Sequence, residues 1–103
     1  MSKQFFFLKL IPPRPTFAMD MNEYERGLMM QHVTYFGKLF AEKRVLIYGP
    51  VMAAEGFFGM GVFQVANETE AKAIMDNDPT ILAGLNRYEV APMRIGGAQA
   101  AET

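Results

Sequence analysis

Three runs of this chain are apolar on both alternating sets of positions, and a sheet built from them cannot leave either face in water. In residues 4–11, Phe5, Phe7 and Ile11 alternate with Phe6, Leu8 and Leu10. In residues 44–52, Val45 and Ile47 alternate with Leu46 and Tyr48. In residues 57–66, Phe57, Phe63 and Val65 alternate with Phe58, Met60 and Val62. Aromatic and β-branched runs bounded by turn residues read as strands. A half-wet antiparallel sheet alternates apolar with polar, and these runs do not. Helices cover one face, so the other needs a partner. A second copy of the same sheet is the simplest supplier, because most soluble oligomers are symmetric homo-oligomers.

The segments between the strands supply the helices. Pro12, Pro13 and Pro15 end the first strand in an extended connection. Asn22 followed by Glu25 has the spacing of a capping box and opens a helix over residues 22–42. Asn67 followed by Glu70 repeats the pattern and opens a second helix from Glu68 to about Met75. Asp78-Pro79 begins one more helical turn, closed by Gly84. Residues 86–93 make the fourth strand. The order β-α-β-β-α-β predicts an α+β, ferredoxin-like fold with a four-stranded antiparallel sheet and both helices on one face. One domain is expected over residues 1–93, with a flexible tail over 94–103 that contains Gly96-Gly97.

Composition narrows the function. A net charge of −1 lacks the basic surface that nucleic acid demands. The chain has no cysteine and one histidine, so it has no thiol nucleophile and no standard transition-metal site; no metal and no cofactor is expected. The N-terminal apolar run is interrupted by Lys9 and is too short for a signal peptide or a membrane span. A cytoplasmic protein without membrane partners is the expectation. Gly59-Met60-Gly61 superficially resembles a phosphate loop, but it lies within a strand and lacks the Lys-Ser/Thr ending.

His32, the single histidine, falls where a titratable side chain is least comfortable. At about 100° per residue from Leu28, the residues Tyr24, Met29, Tyr35, Phe36, Leu39 and Phe40 lie between about −40° and about 120°. His32 lies at about 40°, in the middle of that stripe, and must find a hydrogen-bond partner or face a cavity. A lone histidine there is either a satisfied core residue or a site residue. Asp78 is either a helix cap or, because the second helix returns to the same sheet face, a carboxylate within reach of His32. Glu25 at about 60° either closes its capping box or joins the same site. Arg14, between prolines, either clamps an anionic group or is solvated. Ser2 is terminal and cysteine is absent, so no Ser or Cys nucleophile is positioned.

Taken together, the pieces resemble the YCII-related (YciI-like) domain family. They are residues 9–17 (Lys-Leu-Ile-Pro-Pro-Arg-Pro-Thr-Phe), then Glu25, Met29, His32 and Tyr35, Gly49-Pro50-Val51, Glu70-Ala71, Asp78-Pro79 with Ala83-Gly84-Leu85, and Tyr88-Glu89-Val90 with Pro92. The resemblance runs from about Phe5 to Met93. It implies a dimeric α/β barrel, in agreement with the two apolar faces, and a His-Asp active-site pair at His32 and Asp78. It also implies action on small organic, often aromatic or lactone-like, compounds. Arg14, Glu25 and Tyr35 are the candidate substrate-binding residues. One departure is that Ala53-Ala54 stands where the family often carries an acidic residue after the Gly-Pro strand.

Two functions follow. In the first, a His32–Asp78 dyad moves a proton on a small substrate in an apolar cleft, in an isomerisation, elimination or lactone opening. In the second, the same cleft binds a metabolite without turnover and His32 is a ligand contact.

Overall fold

The computed structural model describes residues 2–102. Met1 and Thr103, the outermost residues of the expected domain and tail, lie outside them. The apolar runs form β1 (Gln4–Ile11), β2 (Val45–Val51) and β3 (Phe58–Val65), and β4 spans Arg87–Met93. Between them lie α1 (Phe17–Asp20), α2 (Glu23–Ala41), α3 (Glu68–Asp76) and α4 (Pro79–Leu82). The four strands make one antiparallel sheet in the order β2-β3-β1-β4. The fold is α+β and ferredoxin-like. Residues 94–102 form no helix or strand. No helix among the described residues is long and apolar enough to cross a membrane.

Both long helices begin as their capping residues dictate. Asn22 accepts from the Glu25 backbone N–H while the Glu25 carboxylate accepts from the Asn22 N–H, a complete capping box. Asn67 accepts from the Glu70 N–H, but the Glu70 side chain reaches one residue further back, to the N–H of Ala66. Gly84 closes α4 with a φ of 71°, the left-handed region that glycine enters without strain.

One sheet face carries the core. Phe6, Leu8 and Leu10 of β1 and Phe63 and Val65 of β3 are buried against Phe36 and Leu39 of α2 and Ala71, Ile74 and Met75 of α3. Burying side chains of this size contributes about 1.5–3 kcal/mol each. Tyr24 and Phe40, at the two edges of the predicted α2 stripe, are 68% and 52% exposed, so the buried arc is narrower than the sequence pattern.

The alternation expected of β2 needs a correction. Val45 pairs with Phe63 but Ile47 pairs with Val62, so Leu46 is an inserted bulge residue. Beyond it, every side chain changes face. Val45 and Tyr48 point to the helices, and Ile47 goes to the opposite side, where it is 54% exposed. That opposite face presents Phe5, Phe7 and Ile11 of β1, Phe58, Met60 and Val62 of β3, and Ile47 and Val51 of β2. β4 is more mixed there, with Arg87 and Glu89 beside Ala91 and Met93. Lys9 lies between Met60 and Glu89 in register, and its ammonium sits 4.8 Å from the centre of the Phe58 ring.

The helix-facing side of β3 is hollow at one end because two of its residues have no side chain. A Cβ on Gly59 would lie 3.1 Å from Leu10 Cβ, and one on Gly61 would lie 3.5 Å from Leu8 Cδ2. Leu10 Cβ is fixed by the strand backbone and has little room to yield. Gly59→Val is therefore expected to destabilise the protein by about 1–3 kcal/mol through overpacking, read as a lower midpoint in urea unfolding. An unchanged midpoint would contradict the close approach.

Candidate active site

The hollow beside Gly59 opens into a cleft of about 310 Å³ between α2 and the sheet. Its floor is Leu8, Leu10 and Gly59, and Met29, His32, Val33 and Phe36 of α2 form the roof. Phe17, Ala18 and Met21, on and after α1, close one side, and Tyr48, Gly49 and Pro50 of β2 form the other. Pro50 is tolerated because β2 is an edge strand. The lining holds no Asp, Glu, Lys or Arg side chain; His32, Tyr48 and Asn86 are its polar side chains.

The middle of the α2 stripe brings His32 to this roof, with its ring tilted on Phe36 at a centroid distance of 4.7 Å. Its Nδ1 lies 2.6 Å from Oδ2 of Asp78. Among the described residues, nothing bonds its Nε2. Asp78 is the N-cap of α4 and is fully buried. Its second oxygen, Oδ1, accepts from the Thr80 backbone N–H at 2.8 Å and the Thr80 hydroxyl at 2.7 Å. The capping and ring-holding roles are thus divided between the two oxygens of one carboxylate. Burial alone would push the Asp78 carboxyl up. The bonds from His32 and Thr80 outweigh it and hold it below its ordinary value, so Asp78 is an anion at neutral pH.

Of the five residues expected at a site, His32 alone lines the cleft; Asp78 stands directly behind it. Arg14, Glu25 and Tyr35 lie elsewhere, with their polar atoms engaged by protein. Arg14 makes a two-pronged pair with Glu25, both contacts at 2.8 Å, and its Nε donates to Asp20 at 2.8 Å. The Asp20 carboxylate also accepts from Thr16 at 2.6 Å. This cluster holds α1 (Phe17–Asp20) and the turn before it, where the proline-rich sequence read only as an extended connection. It ties α1 to the start of α2 and so holds the Phe17 side of the cleft. Tyr35 donates its hydroxyl to the Ile74 carbonyl at 2.7 Å, linking α2 to α3, and burial pushes its phenol up.

Asn86 is the lining residue that the sequence pattern passed over. Read as the first residue of a strand, it carries no motif. Its signal is parity, since residues 86, 88 and 90 share the helix-facing side of β4. Asn86 is 5% exposed; among the described residues its Nδ2 reaches only the Met29 sulfur, at 3.5 Å, and its Oδ1 has no partner. A buried carbonyl left in that state costs roughly 1–3 kcal/mol.

The Arg14 pair has a pH signature. Glu25 is pushed down to about 2 by Arg14 and by the Asn22 N–H. A group depressed on folding stabilises the protein wherever it is ionised. The Glu25 contribution is complete above its ordinary 4.5 and is lost as pH falls towards about 2. Melting temperatures between pH 5 and pH 2 are expected to fall less steeply for Glu25→Gln than for the parent chain. Parallel curves would mean that the pair contributes nothing.

A family model, the YCII-related domain, matches residues 5–94. No curated protein sequence matches the chain. Among solved structures, the chain is similar to the 5-chloro-2-hydroxyhydroquinone dehydrochlorinase TftG of Burkholderia phenoliruptrix AC1100, in complex with 2,5-dihydroxybenzoquinone. The TM-score is 0.66 at 20% identity, over 88% of this chain and 95% of that one. It is also similar to the uncharacterized protein TM1266 of Thermotoga maritima, with a TM-score of 0.52 at 14% identity, over 90% of this chain and 100% of that one. At such identities the likeness is one of fold. With nearly its whole length matched by the family model, the chain belongs to the YCII-related domain family.

Proposed function

We propose that this protein is a small enzyme that moves a proton on a small, largely apolar organic molecule held in the α2–sheet cleft. His32 is the general acid/base and Asp78 is the residue that positions it. The carrying observation is the 2.6 Å contact of a buried carboxylate with Nδ1 of a histidine whose other nitrogen has no partner among the described residues. With Asp78 ionised, the neutral ring keeps its proton on Nδ1 and presents the Nε2 lone pair. Nε2 takes a proton from an acidic C–H or O–H of the substrate, and Asp78 stabilises the imidazolium that forms. The ring then returns the proton to another atom of the substrate in an isomerisation; in an elimination the leaving group departs with the electron pair of its broken bond, and the ring gives the proton to a basic leaving group or, where chloride leaves, to water. The similar fold of a dehydrochlorinase supports the elimination reading, since loss of hydrogen chloride begins with such a proton. In this reading Arg14 and Glu25 act on substrate binding by holding the α1 wall, and Tyr35 by anchoring α2.

The test pairs two substitutions that keep the hydrogen-bond geometry. In Asp78→Asn the cap survives, because Asn caps as well as Asp. Its amide, however, donates to Nδ1 where the carboxylate accepted, so the proton moves to Nε2 and the base is lost. His32→Gln keeps a donor towards Asp78 but cannot take a proton. Both variants are expected to stay folded and to lose roughly 10²–10⁴-fold in turnover, scored with small hydroxylated aromatic and lactone compounds. Full turnover in either variant, or binding without turnover in the parent chain, would overturn the enzyme reading.

The partner in this reading is a second copy of the chain, joined through the helix-free sheet face into an α/β barrel. The apolar residues of β1, β2 and β3 on that face support it, because permanent interfaces resemble a divided core. Lys9 would enter that interface accompanied by the Phe58 ring and by Glu89 on the neighbouring strand. Sedimentation at micromolar concentration is expected to give a dimer, and Phe7→Lys, on the same face of a central strand, a monomer. A monomeric parent chain would contradict this assembly.

A further inference from the structure

The cap of α4 contains one donor more than a cap requires. Asp78 is the N-cap, and Pro79 at the first helical position has no N–H to satisfy. The Thr80 backbone N–H donates to Oδ1 at 2.8 Å, which is the bond an N-cap makes. Thr80 then adds its hydroxyl to the same oxygen at 2.7 Å. Thr80 is fully buried, so this hydroxyl has no water to choose instead. The result is a lopsided carboxylate: two donors from Thr80 on Oδ1, and on Oδ2 the His32 ring nitrogen at 2.6 Å. The other titratable groups around this pair are neutral or engaged. From α2, Tyr35 is a neutral phenol that donates to the Ile74 carbonyl. At the end of α3, Asp76 is exposed and accepts from Tyr88 of β4. β1 and β3 offer Leu8, Leu10 and Gly59 to the cleft, and β2 offers Tyr48.

We infer that Thr80 is a positioning residue of this site: its hydroxyl on Oδ1 of Asp78 weakens the draw of Oδ2 on a second ring proton, and so keeps His32 free to accept one from a substrate. The inference rests on the proton transfer proposed above. A carboxylate has one negative charge to share between its oxygens. Donors on Oδ1 concentrate charge there and leave Oδ2 the poorer acceptor. The neutral ring needs only its Nδ1 proton to bond Oδ2, whereas the imidazolium leans on that oxygen for charge balance. Without the hydroxyl, the anion is under-compensated whenever the ring is neutral, and a second ring proton relieves it. The pair then takes up that proton from water at higher pH. A ring already protonated is no base. Thr80 therefore widens the pH range in which Nε2 has a free lone pair, while Asp78 still holds the ring in place.

The test reads His32 directly, without a substrate. Its imidazole C–H signals are unambiguous because it is the one histidine, and their movement with pH gives the midpoint at which the pair takes up its proton. Thr80→Val keeps the branched shape, the backbone N–H and the cap, and removes the hydroxyl. Its midpoint is expected to lie roughly half a pH unit to one unit above that of the parent chain. Thr80→Ser restores the hydroxyl, and its midpoint is expected to coincide with the parent's. A hydroxyl that served only the fold would lower the melting temperature of Thr80→Val and leave the midpoint where it was. In turnover, the acidic limb of the Thr80→Val pH profile is expected to move up by the same interval, with the plateau above it retained. Asp78→Asn and His32→Gln, in contrast, lose the plateau.

A folded Thr80→Val whose midpoint stays put or moves down overturns the inference. So does a Thr80→Ser whose midpoint shifts as far as that of Thr80→Val, since the hydroxyl is then not the group responsible. Thr80→Ala, which introduces no bulk, takes the place of Thr80→Val if that variant does not fold. If neither folds, the hydroxyl is a structural group and the inference falls. The two readings fail separately: absence of turnover in the parent chain removes the proton transfer, and the midpoints, measured without substrate, decide the coupling of Thr80 to His32.

Discussion

A carboxylate buried without water must find donors for both of its oxygens, and this constraint at Asp78 organises the region around the cleft. Two donors come from Thr80, two residues on, and bend the chain into α4. The third comes from His32, 46 residues earlier on a different helix. Neither set is dispensable, because an unpaired buried charge costs several kcal/mol. The same bonds that make Asp78 an anion therefore dock α4 against α2 and set the edge of the imidazole that faces away from it. The chemistry proposed for His32 is a by-product of satisfying a helix cap.

Charge is kept out of the cleft but not far from it. Arg14, Glu25, Asp20 and Thr16 form a bonded cluster on the outside of the α1 wall, and Phe17 of that wall turns inward. The Arg14 guanidinium also packs 5.3 Å from the centre of the Phe17 ring, so the ionic and apolar sides of the wall share one residue. The arrangement lets a four-residue helix too short to be stable alone serve as a fixed boundary of an apolar space.

Period and punctuation made most of the fold legible in the sequence. The strands, the two capped helices and the Asp78-Pro79 turn fall within about a residue of where the pattern places them. What escaped has physical causes. The bulge at Leu46 is one residue in a run that is apolar at every step, so no polar position marks the slip. α1 is held by side chains that bond across 6 and 11 residues, and period carries no trace of that. At the cleft, the inward direction of His32 was legible because α2 is long. Its pairing with Asp78 followed from element order and family resemblance, not from local pattern. Arg14 and Glu25 were each legible as charged residues near the site, but only three dimensions show that they bond each other. Asn86 was invisible because its meaning lies in a bond it does not make.

The hollow over Gly59 is produced by absent side chains at two positions of β3. At Gly61 a Cβ meets only ordinary contacts and the register can stay, whereas at Gly59 it meets Leu10 Cβ at 3.1 Å. A family built on this sheet could change the bulk of the molecules it accepts by exchanging the residue opposite Leu8, while the pairing of β1 with β3 and the His32–Asp78 contact stay where they are. Divergence in ligand size would then leave the strand pattern almost unmarked, and relatives with similar backbones would differ in what they hold.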